Sequence, residues 1–139
     1  MRNPKHKIIY VNYASIYYPD IAGIAEPGQY KGKFVQIRKS GTEYLVFSPK
    51  EFTRFHADIV ESFCGEHDIP GIYKSENKIF KILDPLWSVI GGGKFEIDRE
   101  KKHLRIYDNS MAYGKFEGKG LREKILSVSQ FSDYKVQIE

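Results

Sequence analysis

Apolar and polar residues alternate with period two over much of this chain. Phe95 and Ile97 fall on one side of segment 94–98, while Lys94, Glu96 and Asp98 fall on the other. After Arg99-Glu100-Lys101-Lys102, the residues Leu104 and Ile106 repeat the pattern. Alternation of this kind puts one apolar face on a sheet, so 94–98 and 103–107 are predicted to form a hairpin. Similar runs at 7–13, 33–38, 43–47, 78–83 and 134–138 predict further strands, with Lys39-Ser40-Gly41-Thr42 as a second hairpin turn. The stretch 23–32, with Pro27, Gly28 and Gly32, predicts an irregular connection.

Two segments carry the helical period instead. Phe52, Phe55, Ile59, Val60 and Phe63 recur at steps of three and four. Ahead of them, Ser48-Pro49-Lys50-Glu51 has a hydroxyl for an N-cap, a proline for the first helical position and a glutamate three residues past the cap. A helix starting at Pro49 and stopped by Gly65 is therefore predicted. A shorter one is expected over 120–129, with Leu121, Ile125 and Val128 on one face. Many strands and few helices indicate an α+β fold, a central mixed β-sheet with two main helices packed on it. With 139 residues and no repeat or linker, the whole of 1–139 is expected to form a single compact domain.

Composition narrows the class of function. At 41% hydrophobic and 14% aromatic, the chain reads as a folded protein. Its single cysteine, Cys64, forms no disulfide framework or thiolate cage and is best read as a small buried hydrophobe. A short apolar run behind a basic N-terminus argues against a secretory leader, and no stretch approaches a membrane span, so a cytoplasmic protein is expected. The 22 Lys and Arg against 18 Asp and Glu favour anionic partners only mildly. Ten tyrosines could suit a nucleic-acid binder, but they follow strand alternation and are better explained as core, so neither nucleic acid nor membrane is an expected partner. No self-association is anticipated. His6, His56, His67 and His103 do not pair at metal-ligand spacing, so no metal or other cofactor is expected.

The candidate chemistry lies in three places. His56 falls on or beside the apolar stripe of the first helix, where an imidazole is either a packed edge residue or a base kept neutral by a nearby cation. Lys33 shares a strand face with Val35 and Ile37, and its ammonium either extends toward that helix or reaches out to water. Ser110-Met111-Ala112-Tyr113-Gly114 follows a strand and is either an ordinary turn or a nest of amides that holds an anion. Gly91-Gly92-Gly93 forms either a wall where backbone approaches a ligand or a bulge.

Taken in order, these pieces resemble the protein histidine phosphatase family, also called Janus/ocnus. The resemblance rests on Phe55-His56-Ala57-Asp58-Ile59, on Gly91-Gly92-Gly93-Lys94 and on Ser110-Met111-Ala112-Tyr113-Gly114, with weaker likeness at 33–38, at Glu123-Lys124-Ile125 and at Asp133-Tyr134-Lys135-Val136. It implies a metal-independent hydrolase acting on phosphohistidine in proteins or peptides, or on another phosphoramidate such as phospholysine. By the same resemblance His56 is the base, while Lys33, Ser110, Met111, Ala112, Lys94, Gly92 and Gly93 form the phosphate site. Two departures stand out. Family members carry a phosphate-contacting arginine where this chain has Ser48, with Lys50 or Lys94 as the available replacements, and the basic residue after the glycines is Lys94 rather than arginine. Segments 65–90 and 1–30 match nothing in the family pattern. A non-catalytic module that binds a phosphorylated ligand is the alternative on the same fold.

Overall fold

The computed structural model describes residues 7–76 and 78–139; the basic residues 1–6 weighed above lie outside them. Six strands form one mixed sheet in the order β1 (Lys7–Asn12), β3 (Thr42–Pro49), β2 (Gln29–Lys39), β6 (Trp87–Asp98), β7 (His103–Tyr107), β8 (Lys135–Ile138). Its central four strands pair antiparallel, and the outer strands β1 and β8 run parallel to their neighbours. A separate hairpin joins β4 (Gly71–Lys74) to β5 (Ile79–Ile82). Both predicted hairpins are present, with Lys39 opposite Thr42 and Asp98 opposite His103.

Each face of the sheet has its own apolar layer. On one, Phe34, Leu45, Phe47, Phe95, Ile97, Leu104 and Ile106 pack against α3 (Leu121–Leu126) and the 3-10 turn Ser129–Phe131. On the other, Val35, Ile37 and Val46 pack against α2 (His56–Glu66) and the β4–β5 hairpin. The short helix α1 (Ala14–Ile16) passes into a π-turn over Tyr17–Ala22. Gly23 ends it at φ +71°, and the N–H of Ile24 donates to the Tyr18 carbonyl at 2.8 Å. Among the described residues no helix is long and apolar enough to cross a membrane.

Helix α2 begins seven residues later than Pro49. Ser48 and Pro49 still belong to β3, opposite Lys33 and Gly32 of β2, so strand pairing claims the residues that carried the capping signature. The Ser48 hydroxyl is buried and accepts from the Thr53 hydroxyl instead of from a helix amide. Phe55 is extended at φ −127°, ψ 154°, and no cap comes from its side chain; Asp58 reaches back, its carboxylate accepting from the Phe55 N–H at 3.3 Å. Beyond that point the stripe is as predicted, since Ile59, Val60 and Phe63 are all buried. Phe55 and Phe52 leave it, Phe55 being largely exposed. The helix runs through Gly65, with His67 as its C-cap. Strand β2 claims Gln29 to Gly32, so the irregular connection is shorter than 23–32, and α3 covers only part of 120–129.

A buried carboxylate ties α3 to the β2–β3 hairpin. Glu43 is wholly inaccessible and accepts from Arg38 Nε at 3.0 Å, from Gln36 Nε2 at 3.2 Å and from Lys124 Nζ of α3 at 3.1 Å. Burial pushes its pKa up, but the hydrogen bonds from Arg38, Gln36 and Lys124 outweigh burial and hold it below 4.5. The carboxylate therefore stabilises the fold above the unfolded-state value and loses that contribution as pH falls through its lowered folded-state value. Glu43→Ala should cost about 3 kcal/mol in urea unfolding at pH 7, because it removes the buried acceptor and leaves Arg38 and Lys124 only the exposed Glu117 as counter-charge. The difference between wild type and variant should shrink as the pH is lowered below 4.5.

Candidate functional site

Register places the key side chains in a row. Across the sheet Ser48 of β3 lies opposite Lys33 of β2, Lys33 opposite Lys94 of β6, and Lys94 opposite Tyr107 of β7. Directly opposed residues of antiparallel strands share a face. That face is the one Val35 and Ile37 turn toward α2, so the row continues the floor on which the helix sits and ends beside its first residue, His56.

His56 is only 7% exposed, yet its surroundings are polar. Its Nε2–H donates to the Gly93 carbonyl at 2.9 Å, which leaves Nδ1 as the unprotonated nitrogen of the neutral ring. Among the described residues Nδ1 has no partner, and no inaccessible side-chain nitrogen or oxygen is unpaired, so Nδ1 reaches solvent. Burial lowers the imidazole pKa below 6.5; the Gly93 carbonyl and Asp108 oppose this, and Lys33 and Lys94 reinforce it. The ring is thus neutral at pH 7, with its acceptor nitrogen turned outward.

Two ammonium groups lie alongside. Lys33 has no carboxylate within ion-pair distance among the described residues, and burial followed by the proximity of Lys94 lowers its pKa. Lys94 Nζ bonds Asp108 Oδ2 at 3.0 Å. Lys50, the other residue considered for the missing arginine, is exposed in the turn after β3, so Lys94 is the second cation in the row. Ser48, opposite Lys33 in the row, brings only a buried hydroxyl already bonded to Thr53.

The 110–114 segment turns back on itself. Ser110 and Gly114 exchange backbone hydrogen bonds at 3.2 and 2.8 Å, and the Ser110 hydroxyl accepts from the Tyr113 N–H at 3.1 Å. Those bonds use the amides of Ser110, Tyr113 and Gly114. Among the described residues the successive N–H groups of Met111 and Ala112 have no protein acceptor, and Met111 is fully exposed. The turn therefore carries two successive open donors.

Gly91-Gly92-Gly93 brings the pieces together, although what approaches the glycines is the protein itself. A Cβ on Gly92 would stand 2.9 Å from His56 Cδ2. One on Gly91 or Gly93 would meet Lys115 O at 2.3 Å or Phe116 Cδ1 at 2.9 Å. The Gly92 N–H donates to the Gly114 carbonyl at 3.1 Å, and its own carbonyl accepts from Phe116. One residue thus touches the imidazole and anchors the amide loop. The register of β2 with β6 also slips beside Gly91, between Gln36 and Ile37, so the run adjoins a bulge as well.

A profile of the Janus/Ocnus family (Ocnus) matches residues 19–135, and so takes in 65–90 and 19–30, which the motifs alone leave outside the family pattern. The chain belongs to the Janus/Ocnus family. Among curated relatives it is similar to the sex-regulated protein janus-A of Drosophila melanogaster, 31% identical over 67 residues, and to that of Drosophila simulans, 30% identical over 67 residues. Each match covers 48% of this chain and 48% of the relative, so the chain spans about half the length of the curated relatives it matches.

Asp108 escaped the sequence reading. It sits at φ +66°, directly after β7, with Oδ1 accepting from the Asn109 N–H at 2.9 Å and Oδ2 on Lys94. An Asp-Asn pair closing a strand was the available signal, since these two residues tolerate the left-handed region best among non-glycines. Cys64 is buried with its thiol pushed up to about 11 by desolvation, which makes it an inert packing residue.

Gly92→Ala should lower stability by about 1–3 kcal/mol through overpacking and displace the His56 ring, read as a changed histidine titration by NMR. Gly41→Ala, whose Cβ would meet nothing within 4 Å, should leave both measurements near wild type.

Proposed function

We propose that this Janus/Ocnus protein is a metal-independent phosphatase that hydrolyses the P–N bond of phosphohistidine in proteins or peptides, with His56 as general base. The reading rests above all on the His56 ring, neutral and with Nδ1 open to solvent, in a site that also has Lys33, Lys94 and two open amides. In this scheme Lys33, Lys94 and the N–H groups of Met111 and Ala112 hold the phosphoryl oxygens and neutralise their charge in the transition state. His56 Nδ1 takes a proton from the attacking water. The water oxygen bonds to phosphorus as the P–N bond breaks, and the electron pair of that bond leaves on the substrate imidazole, already protonated at its other nitrogen.

His56→Ala should reduce hydrolysis of a phosphohistidine peptide at least a thousandfold in the presence of chelator, with circular dichroism unchanged. Full activity in that variant would remove the assignment. Lys33→Met should raise KM and lower kcat more modestly, because its contact with the phosphoryl group exists before and during reaction. The active form needs neutral His56 and charged Lys33. The rate should therefore rise with pH through an acid limb below 6.5 and fall again through a basic limb below 10.5, a limb absent in Lys33→Met.

One observation favours a second reading, a module that binds a phosphorylated ligand without turnover. The row position held by arginine in the family contains Ser48, which brings no charge. Tight phosphopeptide binding by the wild-type protein with no release of phosphate would select it.

A further inference from the structure

An open cleft of about 830 Å³ lies beside the candidate site and contains none of its residues. Its floor is the same sheet face, continued by two residues along each strand. Lys31 lies opposite Glu96, Glu96 opposite Arg105, and Arg105 opposite Gln137, so this second row runs parallel to the row that holds Lys33 and Lys94. Residues two apart on a strand share a face and stand about 7 Å apart, so the cleft opens directly next to the two ammonium groups. Tyr17, Tyr18 and Ile24 of the first helical turn and its exit form an apolar wall.

The charges lining this cleft do not balance. Glu96 is bonded by Arg105 at 2.9 Å, and Arg105 also holds Glu139 at 2.6 Å. Asp98 accepts from the N–H groups of Glu100 and Lys101 and from Gln29. Lys31 and Lys135, at opposite ends of the floor, and Lys50 have no carboxylate partner among the described residues; Glu51 and Asp98 are the lining carboxylates without a cation. Three ammonium groups without an ion pair against two such carboxylates leave the cleft with a small excess of positive charge. Four strands about 4.8 Å apart span about 14 Å, the length of four or five extended residues.

From this arrangement we infer that the cleft docks an extended, acidic segment of the substrate polypeptide, beside the phosphorylated residue and continuous with it. The inference rests on the hydrolytic reading above and assigns it a substrate class: a protein segment rich in Asp and Glu, rather than a free phosphorylated small molecule.

The test compares three compounds: a phosphohistidine peptide flanked by Asp and Glu, the same peptide flanked by Ser and Ala, and phosphoramidate. Wild type should turn over the acidic peptide with a KM at least tenfold lower than the neutral one, an advantage that shrinks as salt is raised. Lys31→Glu combined with Lys135→Glu should abolish that advantage while leaving phosphoramidate turnover and circular dichroism unchanged. Equal KM values for the two peptides in wild type, or a preference that survives charge reversal, would overturn the inference. If the wild type hydrolyses none of the three, the catalytic reading fails by itself. Fluorescence anisotropy of the unphosphorylated acidic peptide then decides the cleft, with binding lost on charge reversal supporting it and no binding by wild type sinking it. A wild-type dimer by light scattering that dissociates on the same charge reversal would assign the cleft to a second copy of the chain and overturn the inference as well.

Discussion

Everything at the candidate site depends on three consecutive residues without side chains. At Gly91, Gly92 and Gly93 the strand β6 is bare on both faces, and the neighbouring chain closes onto it to distances that a Cβ would forbid. On one side the imidazole of His56 lies against Gly92 and is fixed by the Gly93 carbonyl. On the other, the Phe116 ring lies against Gly93, while Lys115 pairs parallel alongside Gly92 and so holds the amide loop in place. Glycine costs conformational entropy in a strand interior, and that cost is offset here by what the bare backbone allows to meet.

Electrostatics then follow from position. Two lysines side by side on neighbouring strands repel each other, and a carboxylate from the β7 exit neutralises only one of them. Lys33 keeps an unpaired charge on a partly buried face, where an anion is the natural partner. Burial first, and the same two ammonium groups after it, discourage protonation of His56.

Much of this was legible beforehand. Period-two alternation gave the strands and, through Val35 and Ile37, the face on which Lys33 stands. The helical stripe of Ile59, Val60 and Phe63 was readable for the same reason. What failed was local: Ser48-Pro49 carries a strong capping signature, but pairing with β2 outbid it, so the helix begins at His56 itself. Strand β4 and the π-turn carry no clean period over their few residues, and Asp108 becomes visible only once its backbone angle and its lysine partner are known. His56 was legible through its place on the apolar stripe, where it is buried with Ile59, Val60 and Phe63; its ring orientation comes from a contact with Gly93, far away in number, that no spacing rule encodes.

The arrangement of strands also divides the sheet by mechanical independence. Ser48, Lys33, Lys94 and Tyr107 all come from the central antiparallel strands, joined in pairs by tight turns, whereas the outermost ones are parallel and rely on distant chain for their alignment. Slow amide exchange should therefore concentrate in the middle of the sheet, and fraying at its margins should leave the geometry around His56 undisturbed.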